Sequence, residues 1–359
     1  MFISKHHYAV ALGKMGNIVY YMNGPDQRRK MKPGQIVITA SGHENVFLVE
    51  YRLPFPYFLK FKARPAYDYL LRSHIRKLVQ KLAGHIDLVW SFDLSNTIPL
   101  KLFPRDAKKL YMPVDELQQV VATKAAEGAD VIASVTQEIL DKFNDVNAPK
   151  VFLNHGVAEY FINTSLNDVA SEPVQVGLSG NFLRADIDTE ILLQIIQSNS
   201  DIVFNFWGLV DYKGSNLLAE GDTNQLGFIE QLRIQPNVEL HGQVKPEVLA
   251  TAFKKVDCFL ICYDVTKDQS KGTNYHKILE YLATGKVVVS NNVSTYSQYP
   301  GMLEMVNSRK SNQELPALFK NVIANLREYN SLQKQQQRID FARHFLYTNQ
   351  IAKIEEYLD

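Results

Sequence analysis

The sequence predicts an α/β protein made of two doubly wound domains with parallel sheets. Three observations lead there. Apolar runs of strand length alternate with helix-like stretches along nearly all 359 residues. The run Val287-Val288-Val289 is continuously apolar, as expected of a parallel strand covered on both faces. The chain is also longer than one compact core usually supports.

The elements follow in order. Residues 4–15 read as a helix, with Ser4 placed to cap it and Ala9, Leu12 and Met15 at helical spacing. A doubly wound domain ordinarily opens with a strand, so the chain is expected to begin one strand late, by truncation or by an upstream start. Of the two adjacent histidines on this helix, His6 and His7, one is expected to pack and one to be exposed. Strands are predicted at 18–22, 36–39, 46–51, 88–92, 109–112, 131–134 and 151–154. A helix over 68–82 turns Leu71, Ile75, Leu78 and Leu82 inward and Arg72, Arg76, Lys77 and Lys81 outward. The polar, turn-forming stretch NTSLNDVASEP at 163–173 reads as a linker. A second series of strands follows at 174–179, 202–207, 238–240, 258–263 and 287–291, and the tail from Leu315 is helical.

Charge is unevenly distributed. Residues 1–82 hold fourteen Lys and Arg against four Asp and Glu, a net +10, although the whole chain carries only +1. Within this half, FPYFLKFKARPAYDYL interleaves aromatics with cations. It suits either an anionic membrane surface or a lipid-phosphate acceptor, or it is simply a solvated basic face. Cys258 and Cys262 lie four residues apart in one apolar run, too far to bridge along a strand. With no disulfide framework, no signal peptide and no apolar run of spanning length, a cytoplasmic protein is expected.

The most informative stretch is KGTNYHKILEYLATGKVVVSN, residues 271–291. Thr273 or Asn274 can cap a short helix, and Gly285 can take the left-handed conformation that ends it. Ile278, Leu279, Leu282 and Ala283 share the core side. Lys277 and Glu280, three apart, share the other. A cation, a carboxylate and free backbone N–H groups around one crevice suit a nucleotide: the cation and amides for the diphosphate, the carboxylate for the ribose diol. The competing reading is an ordinary amphipathic helix with a surface ion pair. Asp186-Ile187-Asp188 has the form of a metal-binding DxD. It precedes an apolar helix rather than ending a strand, so it reads as helix-capping acid and no metal is assigned.

In matching order along most of its length, the chain resembles the retaining nucleotide-sugar glycosyltransferases of the GT-B fold, in the large group numbered family four. The matching pieces are SKHHYAVALGKMGNIVYYMNGP, ADVIASVTQEILDKF with VFLNHGVAEYF, and VQVGLSGNFLRADID. IVFNFWG, NVELHGQVKPEVLATAFKKVDCFLICY, HKILEYLATGKVVVSNN and RIDFARHFLYTNQIAKIEEYL complete the set. The resemblance implies two Rossmann-like domains facing a cleft: an acceptor-side domain at 1–162 and a nucleotide-sugar domain at 163–336. Residues 337–359 would form a closing helix packed back on the first domain.

It also implies site residues. The group has two glutamates eight positions apart; Glu280 matches the later, ribose-binding one, while Gly272 stands at the earlier. That departure leaves backbone amides of Thr273 and Asn274, with Tyr275 beside them, to meet the sugar. Gly180 matches the glycine that lets backbone approach the diphosphate; Asn181 stands where many relatives have Arg, and Arg184 is the nearest cation. Gly208 and Gly242 end strands near the base. Lys277 is the first diphosphate contact expected. Asp115 and His155 are the candidate catalytic residues, although Asp115 serves equally as a helix N-cap.

The resulting expectation is a retaining, metal-independent hexosyltransferase-type enzyme of cell-envelope or exopolysaccharide biosynthesis. It would use a nucleotide-diphosphate sugar, a glycan or lipid-linked acceptor and no further cofactor, with no nucleic-acid partner. The alternatives are an inactive scaffold or binding protein on the same frame, supported by Gly272, and a sugar-nucleotide epimerase. An epimerase would need several carboxylates for acid–base work, and the second domain's cleft loops offer only Glu280 clearly.

Overall fold

Every apolar run expected as a strand folds as one, and the strands assort into three sheets. The structure, a computed structural model, describes residues 4–28, 30–82, 84–115, 119–211, 223–268 and 273–358. The chain forms two compact units, Phe2–Asn154 with Tyr347–Asp359, and His155–Leu346.

The first unit runs α1 (Ser4–Lys14), β1 (Val19–Met22), β2 (Ile36–Ala40), β3 (Val46–Tyr51), α2 (Leu59–Lys62), α3 (Arg64–Lys81) and β4 (Leu88–Ser91). It continues through β5 (Lys108–Tyr111), α4 (Gln119–Ala125), β6 (Val131–Ser134), α5 (Gln137–Leu140) and β7 (Lys150–Phe152). Strands β4 to β7 pair in sequence order, all parallel. The other sheet, β1-β3-β2, is not wholly parallel: β2 runs antiparallel to β3. The reason is local. The turn between them is too short for a crossover helix, and Gly42 (φ 85°) and Asn45 (φ 55°) take its left-handed positions. Helix α3 buries the expected Leu71, Ile75 and Leu78, with Leu82 buried just past its end, and adds Tyr67, His74 and Val79. His6 stacks on Tyr21 at 5.0 Å and His7 on Tyr347 at 4.9 Å, so both histidines pack.

The second unit comprises β8 (Gln175–Asn181), α6 (Thr189–Gln197), β9 (Val203–Leu209), α7 (Thr223–Arg233), β10 (Val238–Gly242), α8 (Pro246–Phe253) and β11 (Cys258–Ile261). After these come α9 (Lys277–Leu282), β12 (Val287–Ser290), β13 (Glu304–Met305), α10 (Leu315–Ala324), α11 (Leu326–Tyr329) and α12 (Leu332–Arg343). Its six strands are all parallel, in the order β10-β9-β8-β11-β12-β13. The order reverses between β8 and β11, and the carboxyl ends of those two strands flank the crevice where doubly wound sheets build sites.

Residues before the polar stretch already belong to this unit. Val157 and Phe161 are buried in its core, with Phe161 5.9 Å from Phe253. The stretch 163–173 is itself tied down: Asn163 Nδ2 donates to Thr284 O at 3.2 Å, and Asp257 accepts from the amides of Ser171 and Gln175. The chain therefore changes unit at residues 154–155, ahead of the polar stretch. Residues 337–359, expected as one closing segment, are divided. Helix α12 stays in the second unit, while α13 (Tyr347–Glu355) belongs to the first, where Gln350 Nε2 donates to Asn154 O at 2.6 Å.

Candidate functional site at the strand-order reversal

Strand β8 ends at Ser179-Gly180-Asn181, in register with Trp207-Gly208-Leu209 of β9. Gly180 (φ 149°) and Gly208 (φ 144°) sit side by side in conformations that side chains rarely adopt. A Cβ on Gly180 would lie 2.8 Å from Lys277 Nζ. What the glycine admits here is a lysine.

Lys277 opens α9 and is only 7% exposed. Its ammonium donates to Ser179 O and to the Tyr263 hydroxyl at 2.7 Å, and it stands 5.0 Å from the centre of the Tyr263 ring. Among the described residues no carboxylate lies within ion-pair distance of it, so the surface pair with Glu280 does not form. Helix α9 is embedded, with Ile278, Leu279, Tyr281 and Leu282 buried as well, so its polar side faces the sheet's carboxyl edge rather than open water. Tyr281 reinforces the placement, accepting from the Ser179 amide at 2.8 Å.

Glu280 is half-buried and has no hydrogen-bond partner among the described residues. Burial pushes its carboxyl up to about 7, against the pull of Lys277. The segment leading into α9 is buried at Thr273, Asn274 and Tyr275. Neither Thr273 nor Asn274 caps the helix. The N-cap position is His276, without a side-chain cap, and Thr273 O accepts instead from Thr295 N at 3.1 Å. At 6 residues α9 contributes little dipole, and the cation it carries is the stronger anion partner. Gly272 lies outside the described residues.

Arg184 stands across the same tyrosine, its guanidinium carbon 5.8 Å from the Tyr263 ring centre. Asp186 holds it through Nε at 2.8 Å, and Asp268 lies 3.6 Å away. Asp268 in turn accepts from the Tyr275 hydroxyl at 2.7 Å. Asp188 is the N-cap of α6, accepting from Ile191 N at 3.3 Å. Two cations thus flank Tyr263, a residue the sequence reading left unassigned. Its position just past β11, opposite Gly180 at the reversal of strand order, is the signal that identifies it.

On the β9 side, Trp207 stacks on His241 at 4.8 Å, and His241 Nε2 lies 2.8 Å from Asn205 Oδ1. Gly242 (φ 68°) closes β10 at a register shift opposite Trp207. His155 lies 6.1 Å from His276, ring to ring, and burial pulls it down to about 4, leaving it uncharged near neutrality. Asp115 belongs to the first unit, at an exposed bend after β5; the residues it was expected to cap, 116–118, lie outside the described ones. Among the described residues no group of three His, Cys, Asp or Glu is placed to hold a metal, and no helix is long and apolar enough to cross a membrane.

No family model matches the sequence, and no curated protein matches it. Solved structures do. An α,α-trehalose 6-phosphate synthase from Burkholderia multivorans superposes with a TM-score of 0.67 and 11% identity, covering 97% of this chain and 92% of that one. A sucrose-phosphate synthase from Thermosynechococcus elongatus gives 0.64 and 12%, covering 98% and 91%. HepE from Anabaena, in complex with UDP and glucose, gives 0.59 and 13%, covering 88% and 86%. At such identities the likeness is one of fold. The chain has the GT-B fold, with two Rossmann-like domains, and the structures it is similar to are glycosyltransferases.

Proposed function

We propose that this chain is a glycosyltransferase that takes a sugar from a nucleoside-diphosphate sugar and passes it, with retention, to a glycan or lipid-linked acceptor of envelope or exopolysaccharide assembly. One observation carries the reading. Among the described residues Lys277 is a buried ammonium with neutral acceptors only, at a strand end where Gly180 leaves room for it. A buried cation without a counter-charge is costly, and a diphosphate supplies that charge.

The roles follow from the placement. Lys277 meets the diphosphate and stabilises the charge that grows on it as the sugar–oxygen bond breaks. Arg184, exposed on its outer side and anchored by Asp186, adds a second cation. Glu280, without a hydrogen-bond partner among the described residues, accepts from the two ribose hydroxyls. Asp186, Asp188 and Asp268 are each held by a protein partner, so in this reading the cations rather than a divalent metal neutralise the leaving group. The same commitments disfavour an epimerase, which needs free acid–base carboxylates. With no carboxylate within ion-pair distance of Lys277 among the described residues to act as a nucleophile, retention implies attack on the same face as departure, the acceptor proton passing to the leaving phosphate oxygen. Asp115 is kept as an acceptor-side candidate, and neutral His155 as a hydrogen-bonding one.

The test is purified protein with a panel of UDP-, GDP- and dTDP-sugars, following nucleotide release. One donor is expected to bind and turn over, and to lose both in Lys277→Ala. Binding without turnover would leave a nucleotide-sugar-binding scaffold; no binding across the panel would remove the reading.

A further inference from the structure

Helix α2 is four residues long, LKFK, and none of them is buried. Phe58, just ahead of it, is 59% exposed and Phe61 within it 70%; Tyr69, one turn into α3, is 76% exposed. Large aromatics left in water this way are uncommon unless something covers them. The charges around them are of one sign. Between residues 58 and 77 stand Lys60, Lys62, Arg64, Arg72, Arg76 and Lys77, against Asp68 alone. Arg64 takes Asp68 at 2.7 Å, and Lys60 turns inward to Thr97 Oγ1 at 3.0 Å. Lys62, Arg72, Arg76 and Lys77 are exposed and make no ion pair among the described residues. Helix α3 is fixed from behind by Tyr67, Leu71, Ile75 and Leu78, so Tyr69, Arg72 and Arg76, at helical spacing, form one outward stripe on a rigid support.

We propose that α2 and the outer stripe of α3 dock this chain on an anionic phospholipid surface. Phe58 and Phe61 enter the interface, while the free cations stay at the headgroups on their long stems. The unopposed positive charge selects this occupant. A protein partner would have to alternate apolar pockets for the aromatics with acids for each cation in this one pattern, whereas an anionic bilayer offers apolar depth and continuous negative charge together. The inference is independent of the nucleotide site.

The experiment is flotation of the full chain with vesicles of phosphatidylcholine and phosphatidylglycerol, and with phosphatidylcholine alone. The protein is expected to float with the anionic vesicles only, and to be released as salt rises. Phe58→Ser/Phe61→Ser and Arg72→Glu/Arg76→Glu are each expected to lower partitioning by about tenfold, with melting temperature unchanged because all four side chains are exposed. Equal partitioning to both vesicle types, no partitioning, or wild-type partitioning of both variants overturns the proposal. So does a concentration-dependent dimer, indifferent to vesicles, that Phe58→Ser/Phe61→Ser abolishes.

Discussion

A Cβ on Gly208 would fall 1.7 Å from the carbonyl oxygen of Gly180. The two glycines are register partners on β8 and β9, and their closeness lets both strands end at one edge beside Lys277. Gly208→Ala meets backbone that cannot move aside, at a φ of 144° that alanine resists. We expect it to lose about 2–4 kcal/mol of stability in denaturant titration. Gly180→Ala carries similar backbone strain at a φ of 149° but meets the tip of Lys277 rather than backbone, so it should destabilise less than Gly208→Ala and lower nucleotide affinity as well. A Gly208→Ala protein as stable as wild type would show that the strand ends are not packed this way.

Lys277 gives a prediction in which binding and stability part company. Lys277→Met keeps the length of the side chain and removes a buried charge that has no carboxylate partner among the described residues. Affinity for a nucleoside diphosphate should fall by about 1–3 kcal/mol, the range for a charged hydrogen bond. Unfolding free energy should change little, because the desolvation relieved with the charge offsets the donor lost to Ser179 O and the Tyr263 hydroxyl. Calorimetric titration beside thermal melts of the apo protein checks both. Undiminished affinity takes Lys277 out of the site.

Glu280 sets a pH dependence with opposite signs for binding and folding. Its carboxyl is raised to about 7 by burial, so near neutrality much of it is protonated. Only the ionised form accepts from both ribose hydroxyls, so affinity should increase as pH rises through that value. For the apo protein a raised acid works the other way: its contribution is full below the unfolded value of about 4.3 and is lost as pH climbs toward 7. Glu280→Gln should flatten both slopes. A wild-type affinity constant across this window would refute the assignment.

His155, the first residue of the second unit, gives a stability prediction from the acid side. Burial depresses it to about 4, so the folded state favours the neutral ring. Its stability contribution is present above the ordinary histidine value of about 6.5 and is lost as pH falls toward 4. His155→Gln should remove the part of acid destabilisation that lies in this window. An acid-unfolding curve identical to wild type would place the destabilisation elsewhere.

The strands were legible because parallel strands in the second unit are sealed on both faces, and Val287 to Val289 show it as an unbroken apolar run. Strand β2 misled because periodicity reports burial, not direction; only the length of the 41–45 turn distinguishes a hairpin from a crossover. Lys277 and Glu280 were legible as a pair by spacing, but not that one would be buried and the other left without a hydrogen-bond partner. That follows from tertiary packing around α9. Tyr263 carried no motif at all, since what assigns it is a strand order that no local pattern encodes. Strand β13, Glu304–Met305, was missed because two residues show no period.

Arg338 argues how the site helix is held from its far end. The residue lies on α12, almost wholly buried, and its Nη1 donates to Gly285 O at 3.1 Å and Tyr329 O at 2.8 Å. Tyr329 O is an unmet acceptor at the carboxyl end of α11, where a cation is favoured, and Gly285 O lies in the turn just past α9. Burial pulls the guanidinium down only to about 10, so it stays charged at neutral pH. Gly285 makes the approach possible: a Cβ there would meet Gln335 Cβ at 3.0 Å, and its φ of 84° ends α9. Arg338→Met therefore leaves two carbonyls unsatisfied while relieving one desolvated charge, for a net loss of about 2–4 kcal/mol. Arg338→Lys should recover part of this, since an ammonium keeps the charge and can still donate, but its shorter flexible stem does not hold a donor where the planar guanidinium does. Urea melts should show the midpoint falling with an unchanged slope. Equal stability of the Met and wild-type proteins would mean that α9 is fixed by its apolar face alone.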